Sequence, residues 1–178
     1  MTQTLTARRT QRIRSSLLAS SLGLGLACAA TAAQAAGAFT LPVGTCAPAN
    51  LVTLQADLKL TNGAVRRAGR NPPGGSRYMC DVPDDFAATP PNTFEFQYID
   101  RNIEGNGNLS ARLMRRTRTS GATVTWVRLD SVPSSTLKTL RAPLPGPLDT
   151  AHYFFFVIVE MSTDNAQVEA HTVGLTLR

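Results

Sequence analysis

Histidine and cysteine are scarce in this chain. Two histidines, His152 and His171, and three cysteines, Cys28, Cys46 and Cys80, are spread over 178 residues. A metal centre built from convergent imidazoles and thiolates therefore has little to draw on. Lysine is nearly absent too, at Lys59 and Lys138 alone, and Trp126 is the sole tryptophan. No Gly-x-Ser-x-Gly elbow occurs, although a triad assembled in space stays open. After residue 35 no stretch carries a helical period, which argues against a helix bundle or an alternating α/β fold. No acidic residue precedes Asp57, so the N-terminal segment is purely basic.

That basic segment has the parts of a cleavable signal peptide. Arg8, Arg9, Arg12 and Arg14 form the charged start, and residues 17–30 are apolar or small. This run is too short to span a bilayer. Ala33-Gln34-Ala35 supplies the small-x-small cleavage signal, which places the cut before Ala36. Arg8-Arg9 lacks the Phe-Leu-Lys-like continuation of a twin-arginine leader, so the Sec route is expected, with the periplasm or the exterior as destination. Cys28 lacks a lipobox, because Gly25 and Leu26 precede Ala27. The Ala-rich style is bacterial. Cleavage removes four of 18 basic residues and leaves 14 against 12 acidic ones, a net charge of +2 instead of +6. The high pI thus belongs to the leader and does not point to nucleic acid.

Residues 36–50 are broken by Pro42, Gly44 and Pro48 and read as irregular; 51–178 read as one domain, large enough for a core of its own. Cys46 and Cys80 survive cleavage and pair as one disulfide in an oxidising compartment, closing a loop worth ~3–4 kcal/mol. Val52, Leu54, Ala56, Leu58 and Leu60 alternate with polar residues, the period of a half-buried strand. Residues 64–77, with Arg66, Arg67, Arg70, Arg77 and Asn71-Pro72-Pro73-Gly74-Gly75, read as a polar loop. A short strand over 78–82 then returns antiparallel to 52–60. Further strands are expected over 94–98, 109–118, 122–129, 136–141, 153–161 and 168–177, with a hairpin at Ser120-Gly121. Seven or eight strands without helices give an all-β, antiparallel β-sandwich or small barrel. Residues 153–161 are apolar on both faces, so this strand is expected to lie mid-sheet. Its outer face would be covered by the 64–77 or 83–92 loop, by a partner or by a second subunit.

The Asn/Gly loop leading into Leu109-Ser110-Ala111-Arg112-Leu113, and Asp149 ahead of Tyr153-Phe154-Phe155, carry a resemblance. From Phe94 onward the chain resembles the jelly-roll or lectin-like β-sandwiches of uncharacterised exported bacterial proteins. The resemblance implies a fold and, through it, a glycan as a candidate ligand; it implies no activity.

The most specific local pattern is Asp100-Arg101-Asn102-Ile103-Glu104-Gly105, the first half of a calcium loop. Asp100, Asn102 and Glu104 are its candidate Ca²⁺ ligands, with Asp149 as a carboxylate lent from elsewhere. The twelfth position is Ala111, so the closing carboxylate is missing, and a hairpin loop is the favoured reading with no cofactor expected. Arg112, Arg115, Arg116 and Arg118 cluster on one hairpin, and Trp126 faces Arg115 or Arg116 according to register. Arg112, Arg115, Arg116 and Trp126 together are the candidate ligand surface, against the plainer reading of a solvated sheet face with a core tryptophan. If 153–161 and 168–177 pair about residues 162–166, His152 falls opposite about residue 176, and the two histidines do not converge. Asp57, Glu95, Asp100, Glu104, Asp130, Glu160 and Glu169 are available to a hydrolase, but charges alternating along strands usually mark the wet face. An outer-membrane barrel is disfavoured by charges on both strand faces and by the Leu177-Arg178 end.

The expected function is a non-enzymatic binding or structural β-sandwich at the cell envelope or outside, with carbohydrate or another envelope component as partner. The alternative is a secreted hydrolase using strand-borne carboxylates. Intact-mass measurement of the exported protein should give a chain starting at Ala36; an uncut N-terminus, or diacylglycerol on Cys28, would contradict the leader.

Overall fold

Alternation of large apolar residues with polar ones dictates most of the architecture. The computed structural model describes residues 38–49, 57–67 (Leu58 by its backbone alone), 75–84, 86, 90–102, 108–161 and 168–178, all within one compact unit, Ala32–Arg178. Eleven strands are present among them: β1 (Phe39–Pro42), β2 (Ala47–Pro48), β3 (Asp57–Lys59), β4 (Val65–Arg67), β5 (Ser76–Asp81), β6 (Thr93–Asp100), β7 (Leu109–Thr117), β8 (Thr123–Asp130), β9 (Ser134–Pro143), β10 (Tyr153–Met161) and β11 (Val168–Thr176). Among the described residues the only helical element is a 3-10 turn, Val43–Thr45. No helix of the described residues is long and apolar enough to cross a membrane.

All pairings are antiparallel, and the strands form two sheets. One runs β3-β4-β11-β6-β9, with β1 also on β11; the other runs β2-β5-β10-β7-β8. β1 and β4 share one side of β11, β1 along residues 172–175 and β4 along 169–170. From β6 onward the chain crosses between sheets at every step except the β7–β8 hairpin, the jelly-roll habit.

The two inner faces make one core. β6 contributes Phe94, Phe96 and Tyr98, all fully buried, while Thr93, Glu95, Gln97 and Ile99 between them are half-buried. Opposite them β7 sends in Leu109, Ala111 and Leu113, and β10 sends in Phe155, Val157, Val159 and Met161. Each large apolar side chain so buried stabilises the fold by roughly 1.5–3 kcal/mol. Two polar pins cross between the sheets. Ser131 donates to buried Asp100 at 2.6 Å and accepts from the Leu109 backbone at 3.0 Å. At the other edge Tyr78 and Ser76 of β5 donate to Asp57 of β3 at 2.9 and 2.8 Å, beside fully buried Arg67, which donates to Ser76.

The disulfide joins Cys46 to Cys80 with their Cα atoms 4.6 Å apart. Its setting differs from the sequence reading. β5 does not return along the strand that holds residues 57–59; it pairs with β2 and β10 in the other sheet, and β3 pairs with β4 across the Asn62-Gly63 turn. Arg66 and Arg67, read as a polar loop, form β4, because a buried guanidinium supplied with acceptors is tolerated in a core. Residues 36–50, read as irregular, contain β1 and β2, whose pairing is decided by the edges they meet and not by a side-chain pattern. β10 and β11 do not form a hairpin: they lie in different sheets, so the opposition of His152 to residue 176 falls away.

β10 sits in mid-sheet, between β5 and β7. Among the described residues its outer face is partly open. Phe154 is 45% exposed, Phe156 and Ile158 are half-buried, and no described residue of 64–77 or 83–92 closes over Phe154. Adjacent phenylalanines should therefore behave differently in denaturant unfolding. Phe155→Ala should cost about 3–5 kcal/mol, as for an emptied core site. Phe154→Ala should stay within about 1 kcal/mol, as for a surface position. Equal costs would mean that the faces are not divided in this way.

Candidate functional site

Antiparallel register places side chains of three strands in rows on the outer face of the β5–β10–β7 sheet. Phe154 lies opposite Arg116; Phe156 lies between Asp81 and Met114; Ile158 lies between Met79 and Arg112; Glu160 lies between Arg77 and Ser110. The middle rows gather Phe156, Met114, Ile158 and Met79, with one charged residue in each, Asp81 or Arg112, and charge also closes both ends. At one end Glu160 accepts from Arg77 and Arg112 at 2.6 and 2.5 Å. At the other, Arg118 lies flat on the Phe154 ring, 3.7 Å from its centroid. Arg118 is held there by Asp84 at 2.7 Å and by the Thr150 carbonyl at 2.8 Å.

Here the surface sinks into an open groove of about 710 Å³, floored by Phe154 and Phe156 and bordered by Met79, Asp81, Arg116 and Arg118. Met79 is 41% exposed. Among the described residues, Arg116 meets no carboxylate and Asp81 meets no cation. They stand on strands two steps apart, so ~10 Å separates their backbone rows. Gly121, at φ +70° in the β7–β8 turn, adds no side chain at this end; a Cβ there would lie 3.4 Å from the Arg116 guanidinium. The arrangement offers an apolar aromatic floor with a donor on one bank and an acceptor on the other.

The four residues singled out in the sequence divide between two faces. Arg112 and Arg116 are on the outer face. Arg115 points inward, its guanidinium carbon 4.5 Å from the Tyr153 ring centroid and 5.7 Å from that of Trp126. Trp126 packs on Phe155, centroids 5.2 Å apart, because the β7–β8 register shifts between Leu113 and Met114 and turns it onto the core. Sequence reading picked out Arg118 with the other arginines of this hairpin and missed Phe154, Met79 and Asp81. The doubly apolar run over 153–161 was the available signal for Phe154. Nothing local signals Met79 or Asp81, which reach the site only because β5 flanks β10.

Of the candidate metal ligands, Glu104 lies outside the described residues. Asp100 is fully buried and accepts from Ser131, from the Asn102 backbone at 3.2 Å and from the Asn108 amide at 3.3 Å. Asn102 donates its side-chain amide to Asn108 at 3.3 Å. Asp149 holds His152 at 2.7 Å. Among the described residues no group of three His, Cys, Asp or Glu side chains is set to hold a metal ion.

The strand carboxylates named for a hydrolase are dispersed. On the outer face of the other sheet, Glu95 accepts from Arg141, Arg178 and Thr176. Glu169 there takes Arg66, Arg101 and His171. Burial pushes both carboxyls up, but the donors outweigh it, and both end below the usual carboxylate range. Burial pushes Asp57, between the sheets, above that range despite Ser76, Tyr78 and Arg67. Asp130 pairs with Arg128 at 2.8 Å.

No protein-family model matches this chain, and no curated protein sequence does. Several solved structures are similar to it. One is a family two carbohydrate esterase from Cellvibrio japonicus, at 9% identity and TM-score 0.45, over 80% of this chain and 34% of the esterase. The chain thus spans about a third of that protein's length. A low-affinity xylan-binding module from Roseburia intestinalis is similar at 14% identity and TM-score 0.45, over 79% of this chain and 96% of the module. A family 11 carbohydrate-binding module from Clostridium thermocellum is similar at 12% identity and TM-score 0.43, over 79% and 84%. What this chain binds has to be decided by the chemistry of its own groove.

The two arginine-held glutamates set the acid behaviour. A carboxyl whose folded pKa lies below its unfolded value contributes stability above the unfolded value and loses it as pH falls through the folded one. The thermal midpoint should hold between pH 7 and about 5, then fall below pH about 4.5, with Asp57 acting in the opposite sense. Glu169→Gln should flatten that acid slope; an unchanged slope would remove Glu169 from the account.

Proposed function

We propose that this chain is an exported, non-enzymatic carbohydrate-binding β-sandwich that takes a neutral sugar on the outer face of its β5–β10–β7 sheet. The observation that carries this reading is the Phe154–Phe156 floor between Arg116 and Asp81. A pyranose has the matching chemistry. Its C–H face is apolar and packs on Met79, Phe156 and the part of Phe154 that Arg118 leaves exposed, while its hydroxyls both donate and accept at the rim. Arg116 supplies donors in a planar fork and Asp81 supplies acceptors. The groove's charges cancel, Arg116 and Arg118 against Asp81 and Asp84, which suits a ligand without charge. Removal of residues 1–35 on export, and a role in the periplasm or outside the cell, belong to the same reading.

One observation favours the hydrolase reading enough to test it: two carboxylates, Asp81 and Asp84, border the groove. Glycoside cleavage asks for one carboxyl shielded from water, and both of these are exposed. Asp84 is also tied to Arg118.

Affinity electrophoresis of the exported protein in gels containing neutral polysaccharides should show retardation by at least one of them. Phe154→Ala should weaken that binding at least about tenfold, or ~1.4 kcal/mol, while its unfolding midpoint stays near that of the parent. Equal retardation of the two proteins would place the site elsewhere. Release of reducing ends that Asp81→Asn abolishes would replace binding with hydrolysis.

A further inference from the structure

The groove does not stop at β5. A second concavity of about 390 Å³ adjoins it along Met79 and Asp81, which border both. Its far side is made by Leu41, Thr45 and Ala47, with the Cys46–Cys80 disulfide beneath. β7, β10, β5 and β2 are consecutive neighbours, so the joined depression crosses three strand intervals, ~14 Å between outermost strand axes. That exceeds the length of one pyranose ring. Both concavities open to solvent.

We infer that the ligand is an extended stretch of a neutral polysaccharide, longer than one sugar unit, lying obliquely over the strands, with one part over Phe154 and the next over Met79 and Ala47. This rests on the reading of the groove as a sugar site and adds its direction, its length and the class of ligand. Met79 is placed to serve both stretches: it is exposed and apolar, and it sits at the junction. Asp81 beside it offers acceptors to hydroxyls on either side. The second stretch carries no other charged group, which again suits a neutral chain.

The floor of the second stretch is held in advance. β2 is only two residues long, yet Ala47 is registered opposite Met79, the Ala49 amide donates to the Arg77 carbonyl at 2.8 Å, and the disulfide joins the two strands covalently. An edge strand this short would otherwise fray. The bridge keeps the subsite ordered before the ligand arrives, so less ordering entropy is lost on binding.

The experiment is calorimetric titration of the exported protein with β-linked gluco- and xylo-oligosaccharides, from monosaccharide to hexasaccharide. Affinity should rise at least about tenfold between the disaccharide and the longest chain of the preferred series. Ala47→Trp, an exposed edge position where a large β-former fits the backbone, should remove that gain and leave the disaccharide within about twofold of the parent. Phe154→Ala should weaken all lengths alike. An affinity independent of length overturns the extended-chain inference and leaves the sugar site standing. Equal weakening of short and long chains by Ala47→Trp overturns it as well. The length series uses the unaltered protein, so a variant that fails to fold does not spare it. Absence of binding along both ladders and to every polysaccharide removes the sugar reading and this inference together.

Discussion

The pairing of β10 between β5 and β7 is the constraint on which the rest depends. A strand apolar on both sides has to be central, because an edge position would leave its backbone groups and its side chains to water together. Once central, it drives Phe155, Val157, Val159 and Met161 into the inter-sheet core and turns Phe154, Phe156 and Ile158 outward. The same nine residues thus supply the middle of one hydrophobic layer and the floor of the groove. The groove is a by-product of where β10 must sit, and its banks are whatever β5 and β7 present at those rows: Met79 and Asp81 on one side, Met114 and Arg116 on the other.

Around that strand, polar residues work as fasteners. Asp100, Ser131 and the Leu109 amide bind one sheet to the other at one edge; Asp57, Ser76, Tyr78 and Arg67 do so at the opposite edge. Such buried groups are tolerated because each has partners, and removing one partner would strand the others in a low-dielectric interior. The exterior of the β6–β11 sheet is organised differently. Glu95 and Glu169 each collect two arginines, so both carboxylates of that face are held in ion pairs. Arg116 and Asp81 are left to face the groove. The uneven distribution of paired and unpaired charge, more than the amount of charge, separates the two outer surfaces.

How far the site was legible follows from how local each signal is. Alternation over 93–100, 109–117 and 153–161 depends on nearest neighbours in the chain and is readable directly. The cysteine pair is readable because Cys46 and Cys80 are the two cysteines beyond residue 35. Arg115 follows the inward alternation of Leu109, Ala111 and Leu113, whereas Trp126 is the extra residue at a register shift opposite Leu113 and Met114, which no local pattern announces. β1, β2 and β4 were not legible because they are two to four residues long and owe their extended form to the edges they join. Met79 and Asp81 sit in a strand whose neighbour was misassigned, so their membership of the groove could not be seen.

What the sequence determined by itself is the β period of the long strands, the central place of residues 153–161 and the bridge between Cys46 and Cys80. Each follows from side-chain chemistry at fixed short spacing. Only the tertiary structure decided which strand lies beside which, and hence which outward side chains become neighbours. Phe154, Asp81 and Arg116 come from three strands far apart in the chain, and antiparallel register in one sheet is what sets them around a single groove.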